Sequence, residues 1–266
     1  YAVDQYILRG RSAMVFADPF SLSDPAPPRQ PRASSLEKLF KAWGITMDSN
    51  KVVVDFDYAT RVRTPDNQVE DNPLWISAES FNKDDVTTAQ LEGMLLPVAG
   101  AIEKAEGSEF EYSPLLKSSK NSSLTESFRA RFGGRELRRD FKASVEDYDL
   151  AVRIRGKFKT AFPDGKPQGK DKEESQDLAD ETEHLAEGVE KSNIIVVSDA
   201  DLLADNYYVS RQSFLGFNMS RVFNDNLNFL LNTTEMLTGS QELIGIRSRG
   251  KFERPFTKVE QLEEKA

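Results

Sequence analysis

The sequence predicts an α/β protein: a mostly parallel sheet flanked by helices, with an added antiparallel strand region in its middle. Three observations carry that expectation. Short uninterrupted apolar runs ("AMVF", "VVV", "IIVV") match strands buried on both faces. Stretches with helical spacing of apolar residues lie between the first two runs and after the last. Between residues 95 and 155, apolar segments alternate or end in turn residues, the habit of antiparallel strands.

Taken in order, Val3, Tyr6 and Ile7 share one helical face, and Gly10 suits the position just past a helix end. "AMVFADP" is a buried strand ending at Asp18-Pro19, and the proline-rich "SLSDPAPPRQP" is an extended surface loop. Ser34 and Glu37 have the spacing of a capping box; Leu36, Leu39, Phe40 and Trp43 form the stripe of the helix it opens, and Gly44 stops it. "KVVVDFD" is a second buried strand, ending at Asp55 and Asp57. Thr87 to Met94 reads as a short helix, and "LLPVAGAIE", "FEYSPLLKSS" and "YDLAVRIRGKF" as strands, with a charged helix over Gly134–Phe141.

Residues 163–190 are almost devoid of large apolar side chains and are expected to form a disordered loop inside one α/β domain spanning 1–266. "NIIVVSDADLLAD" returns to the sheet. Phe223, Leu227, Leu230, Leu231, Thr234 and Leu237 trace the apolar face of a helix ended by Gly239. "ELIGIRSR" is a last strand and "FTKVEQLEEKA" the start of a helix. From the opening at Tyr1 inside a helical pattern, without Met, the chain is expected to be a fragment of a longer one.

Composition removes several functions. A net charge of −9 argues against duplex nucleic acid, whose phosphates need a basic footprint. The absence of cysteine excludes disulfides, thiolate nucleophiles and thiolate metal sites. His184 is the sole histidine, which excludes metal clusters built from several imidazoles. No apolar run approaches the roughly 18–20 residues of a membrane span. No nucleotide-binding glycine motif follows a strand, and no cofactor is implied.

What remains is acidic. Three apparent strands end in Asp18, in Asp55 with Asp57, and in Asp199 with Asp201. In open α/β sheets, ligands bind beyond the carboxyl ends of the strands. If the strands are parallel neighbours, Asp18, Asp55, Asp199 and Asp201 converge and offer hard oxygen ligands to Mg²⁺ or Ca²⁺. Otherwise they are aspartates at strand-to-loop turns, where that residue is common. The basic run "IRSRGKFERPF" either meets anionic headgroups or is a solvated strand edge.

The segments "YAVDQYILRGR", "MVFADPF", "LEKLFKAWGI", "KVVVDFDYATRV", "LLPVAGAIE", "SPLLKSS", "LAVRIRGKFKTAFP", "IIVVSDADLLAD" and "LIGIRSRGKFERPFTKVEQL" follow one another in a recognisable order. As a set they resemble the extracytoplasmic domain of the GldG-like family, auxiliary components of ABC-type transport systems first linked to gliding motility. Gly10-Arg11 departs from the paired glycines common there. The resemblance implies a domain on the periplasmic side of the inner membrane, anchored by segments outside this fragment and working beside an ABC-2 type permease and its ATPase. It also implies a class I glutamine amidotransferase-like, flavodoxin-like architecture, whose cysteine chemistry this chain cannot perform. The expected function is therefore a non-enzymatic accessory binding or scaffold domain. The alternative is a metal-dependent enzyme or ligand-binding domain built on Asp18, Asp55, Asp199 and Asp201.

Overall fold

The computed structural model describes residues 1–24, 33–34, 36–63, 67–131, 134–167, 183–214 and 217–239. Helix α1 (Ala2–Leu8) leads into strand β1 (Ala13–Phe16), and α2 (Glu37–Ala42) into β2 (Ile45–Met47). A run of strands follows: β3 (Lys51–Asp55), β4 (Ala59–Arg63), β5 (Val69–Ala78), β6 (Ser80–Phe81), β7 (Met94–Pro97), β8 (Ile102–Lys104), β9 (Glu111–Lys117) and β10 (Ser122–Glu126). Then come α3 (Gly134–Arg139), β11 (Asp149–Gly156), β12 (Ser192–Val197), the hairpin β13 (Val209–Phe214) and β14 (Phe217–Val222), and α4 (Asn226–Leu237).

The main sheet has seven strands, running β1-β12-β11-β8-β2, with β9 also on β11 and β6 on β9. Only β1 and β12 pair in parallel; every other pairing in it is antiparallel. The α/β class stands, but the mostly parallel sheet gives way to a mixed one. The reason lies in the connections. A parallel return needs a crossover of about a dozen residues or more, and β2, β3 and β4 follow one another after three residues each. Such strands must turn back or leave the sheet, and β3 leaves it to pair with β10.

β12 explains why its sequence lacks polar alternation. Ile195 and Val197 point into one core with Phe229, Leu91, Leu96 and Leu115, while Ile194 and Val196 point into another with Ile7, Phe40, Trp43 and Phe158. Both faces of the strand are covered, so an apolar residue is needed at every position. α1 and α2 cover one face and α4 the other.

Local outcomes differ from pattern in three places. Ser34 does not cap α2, which starts after Leu36 without a side-chain cap; its Oγ instead accepts Asp18 N–H at 3.0 Å. Thr87 to Met94 is not a helix: residues 87–90 are turns and Met94 already opens β7, because the Asp85 carboxylate holds Thr87 N–H at 2.9 Å and is itself gripped by Arg153 at 2.7 and 2.8 Å. Gly44 does stop α2: its φ of 69° is left-handed, and a Cβ there would lie 2.2 Å from Ser108 Oγ.

α4 departs from its pattern most. Its buried residues are Asn226, Phe229, Asn232, Thr233 and Met236, while Leu231 is 39% exposed. Leu231 therefore looks outward while Leu227, Leu230 and Leu237 are half-buried, because Asn226 clips the helix in place: its Nδ2 donates to the Leu95 and Leu202 carbonyls and its Oδ1 accepts Leu95 N–H. A buried amide without those partners would cost more than an exposed leucine. Leu231→Gln is accordingly expected to change stability by less than about 0.5 kcal/mol and Met236→Ala to cost about 2 kcal/mol, measured by urea unfolding. The reverse order would mean that the helix buries its other face.

Of the expected disordered loop, residues 168–182 lie outside the described residues. Residues 183–190 are tied to the first helix: Gln5 exchanges hydrogen bonds with Leu185 N–H and C=O, and Val189 N–H donates to Leu8 C=O. The expected last strand, basic run and final helix (240–266) also lie outside the described residues.

Candidate functional site

The one parallel pairing creates the site. β1 and β12 run in register, Phe16 opposite Val197, and both strands continue two residues to an aspartate. Ala17 N–H still donates to Val197 C=O at 2.9 Å, so Asp18 and Asp199 emerge side by side. Asp201 joins them from the single turn of 3₁₀ helix over Asp201–Leu203. One carboxylate oxygen from each of the three lies within 4.8 Å of the others, and all three residues are buried.

Each carboxylate also organises backbone. Asp18 Oδ1 accepts Ala200 N–H at 3.0 Å, and Asp199 Oδ1 accepts Leu202 N–H at 3.0 Å. Asp201 draws in the loop after β1, accepting Ser21 Oγ–H at 3.1 Å, Ser23 N–H at 3.0 Å and Leu22 N–H. Asp199 Oδ2, wholly buried, has no hydrogen-bond partner. Among the described residues, no lysine or arginine forms an ion pair with any of the three.

The electrostatic consequence follows from burial without a counter-charge. Burial lifts the Asp18 carboxyl to about 7, with the Ala200 N–H opposing and the Asp201 charge adding to the rise. Asp199 is raised well above the ordinary carboxylate range by burial first, then by Asp18 and Asp201. Tyr207, whose ring meets Trp75 edge-on at 5.4 Å, is lifted to about 12 by burial and then by the charges of Asp201 and Asp199. Such a cluster holds protons or a hard cation; oxygen-only donors offer nothing to softer metals.

Asp55 does not join it. β3 lies outside the main sheet, and the Asp55 carboxylate is filled by the N–H groups of Asp57, Tyr58 and Ser119 and by the Ser119 hydroxyl, at 2.7–3.0 Å. Asp57 accepts Asn121 Nδ2–H at 2.8 Å at the same junction. These two acids end their strand and fasten it to the turn before β10. His184 stacks on Tyr1 and faces its hydroxyl at 3.1 Å, far along the fold from the acids.

A second feature went unread in the sequence. Val222, Phe223 and Leu227 line a groove of about 1060 Å³ together with Glu79, Glu92 and Met94. Phe223 is half exposed, and Met219 and Val222 beside it on the hairpin are exposed too. The signal was present as an apolar helical stripe, but spacing alone does not tell a face turned inward from one turned outward.

The described residues form a mixed α/β fold with an acid-lined strand end and an exposed apolar groove. Residues 1–233 match the model of the ABC-type uncharacterized transport system family, and the chain belongs to that family of auxiliary transport components. Comparison with curated proteins and with solved structures returned no match.

Proposed function

We propose that this chain is a GldG-type member of its family: a non-enzymatic domain on the extracytoplasmic side of the cytoplasmic membrane that engages the ABC-2 type permease of its transport system and, through it, the ATPase. The observation that carries the reading is the groove lined by Val222, Phe223 and Leu227, the first two exposed, on a chain that belongs to a transport-auxiliary family. Contiguous exposed apolar side chains at a groove are a common mark of protein docking. The residue inventory supports the non-enzymatic part, since there is no cysteine and the single histidine packs on Tyr1. A single α/β domain over 1–266 belongs to the same proposal. So does a kinship with class I amidotransferase-like or flavodoxin-like sheets, for which the parallel β1–β12 pair and its carboxyl-end acids speak.

The test is photo-crosslinking in native membranes, with a photoreactive residue at Phe223 or Leu231 of the full-length protein. Adducts with the permease are expected from both positions, and Val145, exposed elsewhere, serves as the comparison. Adducts from Val145 alone, or co-purification with no subunit of the transport system, would overturn the reading.

A further inference from the structure

The acids at the ends of β1 and β12 have a use that partner docking does not require. Asp18, Asp199 and Asp201 bring one carboxylate oxygen each within 4.8 Å of the others in a buried position. Three like-charged groups at this spacing repel one another strongly in a medium of low dielectric. Proteins offset such clusters with a cationic side chain, yet no described lysine or arginine pairs with these three. Independently, Asp199 Oδ2 is completely buried and lacks any hydrogen-bond donor, although nearly all buried polar atoms have one. Asp199 Oδ1 is already taken by Leu202 N–H, so the free oxygen is not left over from a poorly placed turn.

We propose that Asp18, Asp199 and Asp201 bind a calcium ion that fastens the loop after β1 to the turn after β12. Hard carboxylate oxygens select alkaline-earth cations over zinc, copper or nickel. Ca–O distances of about 2.3–2.6 Å place opposite ligands about 4.6–5.2 Å apart, so oxygens within 4.8 Å of one another are close enough to share one Ca²⁺. Mg²⁺ demands near-ideal octahedral geometry and sheds its water reluctantly, which suits a buried site less well. Asp201 is oriented by Ser21 Oγ–H and by the Leu22 and Ser23 N–H groups, and Asp18 by Ala200 N–H. The ligands thus come preset from two segments far apart in the chain, one at Asp18 and one at Asp199 and Asp201, and the ion joins them. This site does not rest on the docking reading above.

The experiment uses the purified chain after chelation, with calcium and terbium as probes. Ca²⁺ at a hundredfold excess over its Kd is expected to raise Tm by about 5–10 °C. Tb³⁺ is expected to luminesce on excitation of Tyr207 and Trp75, and Ca²⁺ to quench that signal by competition. Asp199→Asn, nearly isosteric, should lower the luminescence at least tenfold, and Asp18→Asn should do the same, whereas Asp57→Asn should leave it unchanged. A wild-type chain whose Tm and Tb³⁺ signal do not respond overturns the proposal. So does a response that survives both Asp199→Asn and Asp18→Asn, and a larger Tm rise with Mg²⁺ than with Ca²⁺ overturns the choice of ion.

Discussion

Replacing Asp55 by alanine is expected to destabilise the protein by about 3–5 kcal/mol. The carboxylate is fully buried and accepts four hydrogen bonds, from the N–H groups of Asp57, Tyr58 and Ser119 and from the Ser119 hydroxyl. Alanine removes the acceptor and leaves four donors behind. Each donor stranded in a buried place costs about 1–3 kcal/mol, less where water reaches it, as at the exposed Asp57. The loss falls on the junction of β3 and β10, whose pairing starts at Asp55 opposite Ser122. Asp57→Ala, which removes one exposed bond to Asn121, should cost under about 1 kcal/mol. Urea unfolding of the two variants separates them, and equal costs would show that Asp55 does not fasten the β3–β10 junction.

That contrast shows what sequence carries and what it does not. "NIIVVSDADLLAD" announced a strand buried on both faces with acids at its end, and β12 with Asp199 and Asp201 is that element. "KVVVDFD" has the same signature, yet its Asp55 caps a turn in a small sheet of its own. An apolar run encodes burial; it says nothing of which strand lies alongside or in which direction. Those depend on connection length and on contacts distant in the chain, here the three-residue links around β3. α4 makes the same point for helices. Its leucine spacing set the period correctly, but the face was chosen by Asn226, whose partners Leu95 and Leu202 lie on other elements. Ser34 had a capping partner in Glu37 by spacing and found Asp18 N–H instead. Side chains with polar tips respond to tertiary partners that local pattern does not show.

Acidifying the chelated protein from about pH 8 to about pH 5.5 is expected to stabilise it. Most proteins gain nothing or lose stability over this range as paired carboxylates begin to protonate. Here the dominant groups shift the other way. Asp18 has its pKa raised from 3.8 to about 7 in the folded protein. Between those values the folded chain holds a proton that the unfolded chain releases, so folding is favoured on the acid side and stability is lost as pH rises through the window. A single group with this gap contributes about 2 kcal/mol between pH 8 and pH 5.5. Asp199 is raised in the same direction and adds to the slope. The groups facing the pair are Asp201, whose charge raises both, and Tyr207, which stays protonated throughout the range. Asp18→Asn removes the titrating carboxyl and should flatten the profile, with its largest gain in stability above pH 7. A divalent ion reverses the sign, because it binds the deprotonated carboxylates and its grip tightens as pH rises. Melting curves with chelator and with Ca²⁺ should therefore diverge with increasing pH. If the chelated wild type melts at the same temperature across the range, or Asp18→Asn keeps the wild-type slope, then the three acids are not held together in the way the parallel β1–β12 pair places them.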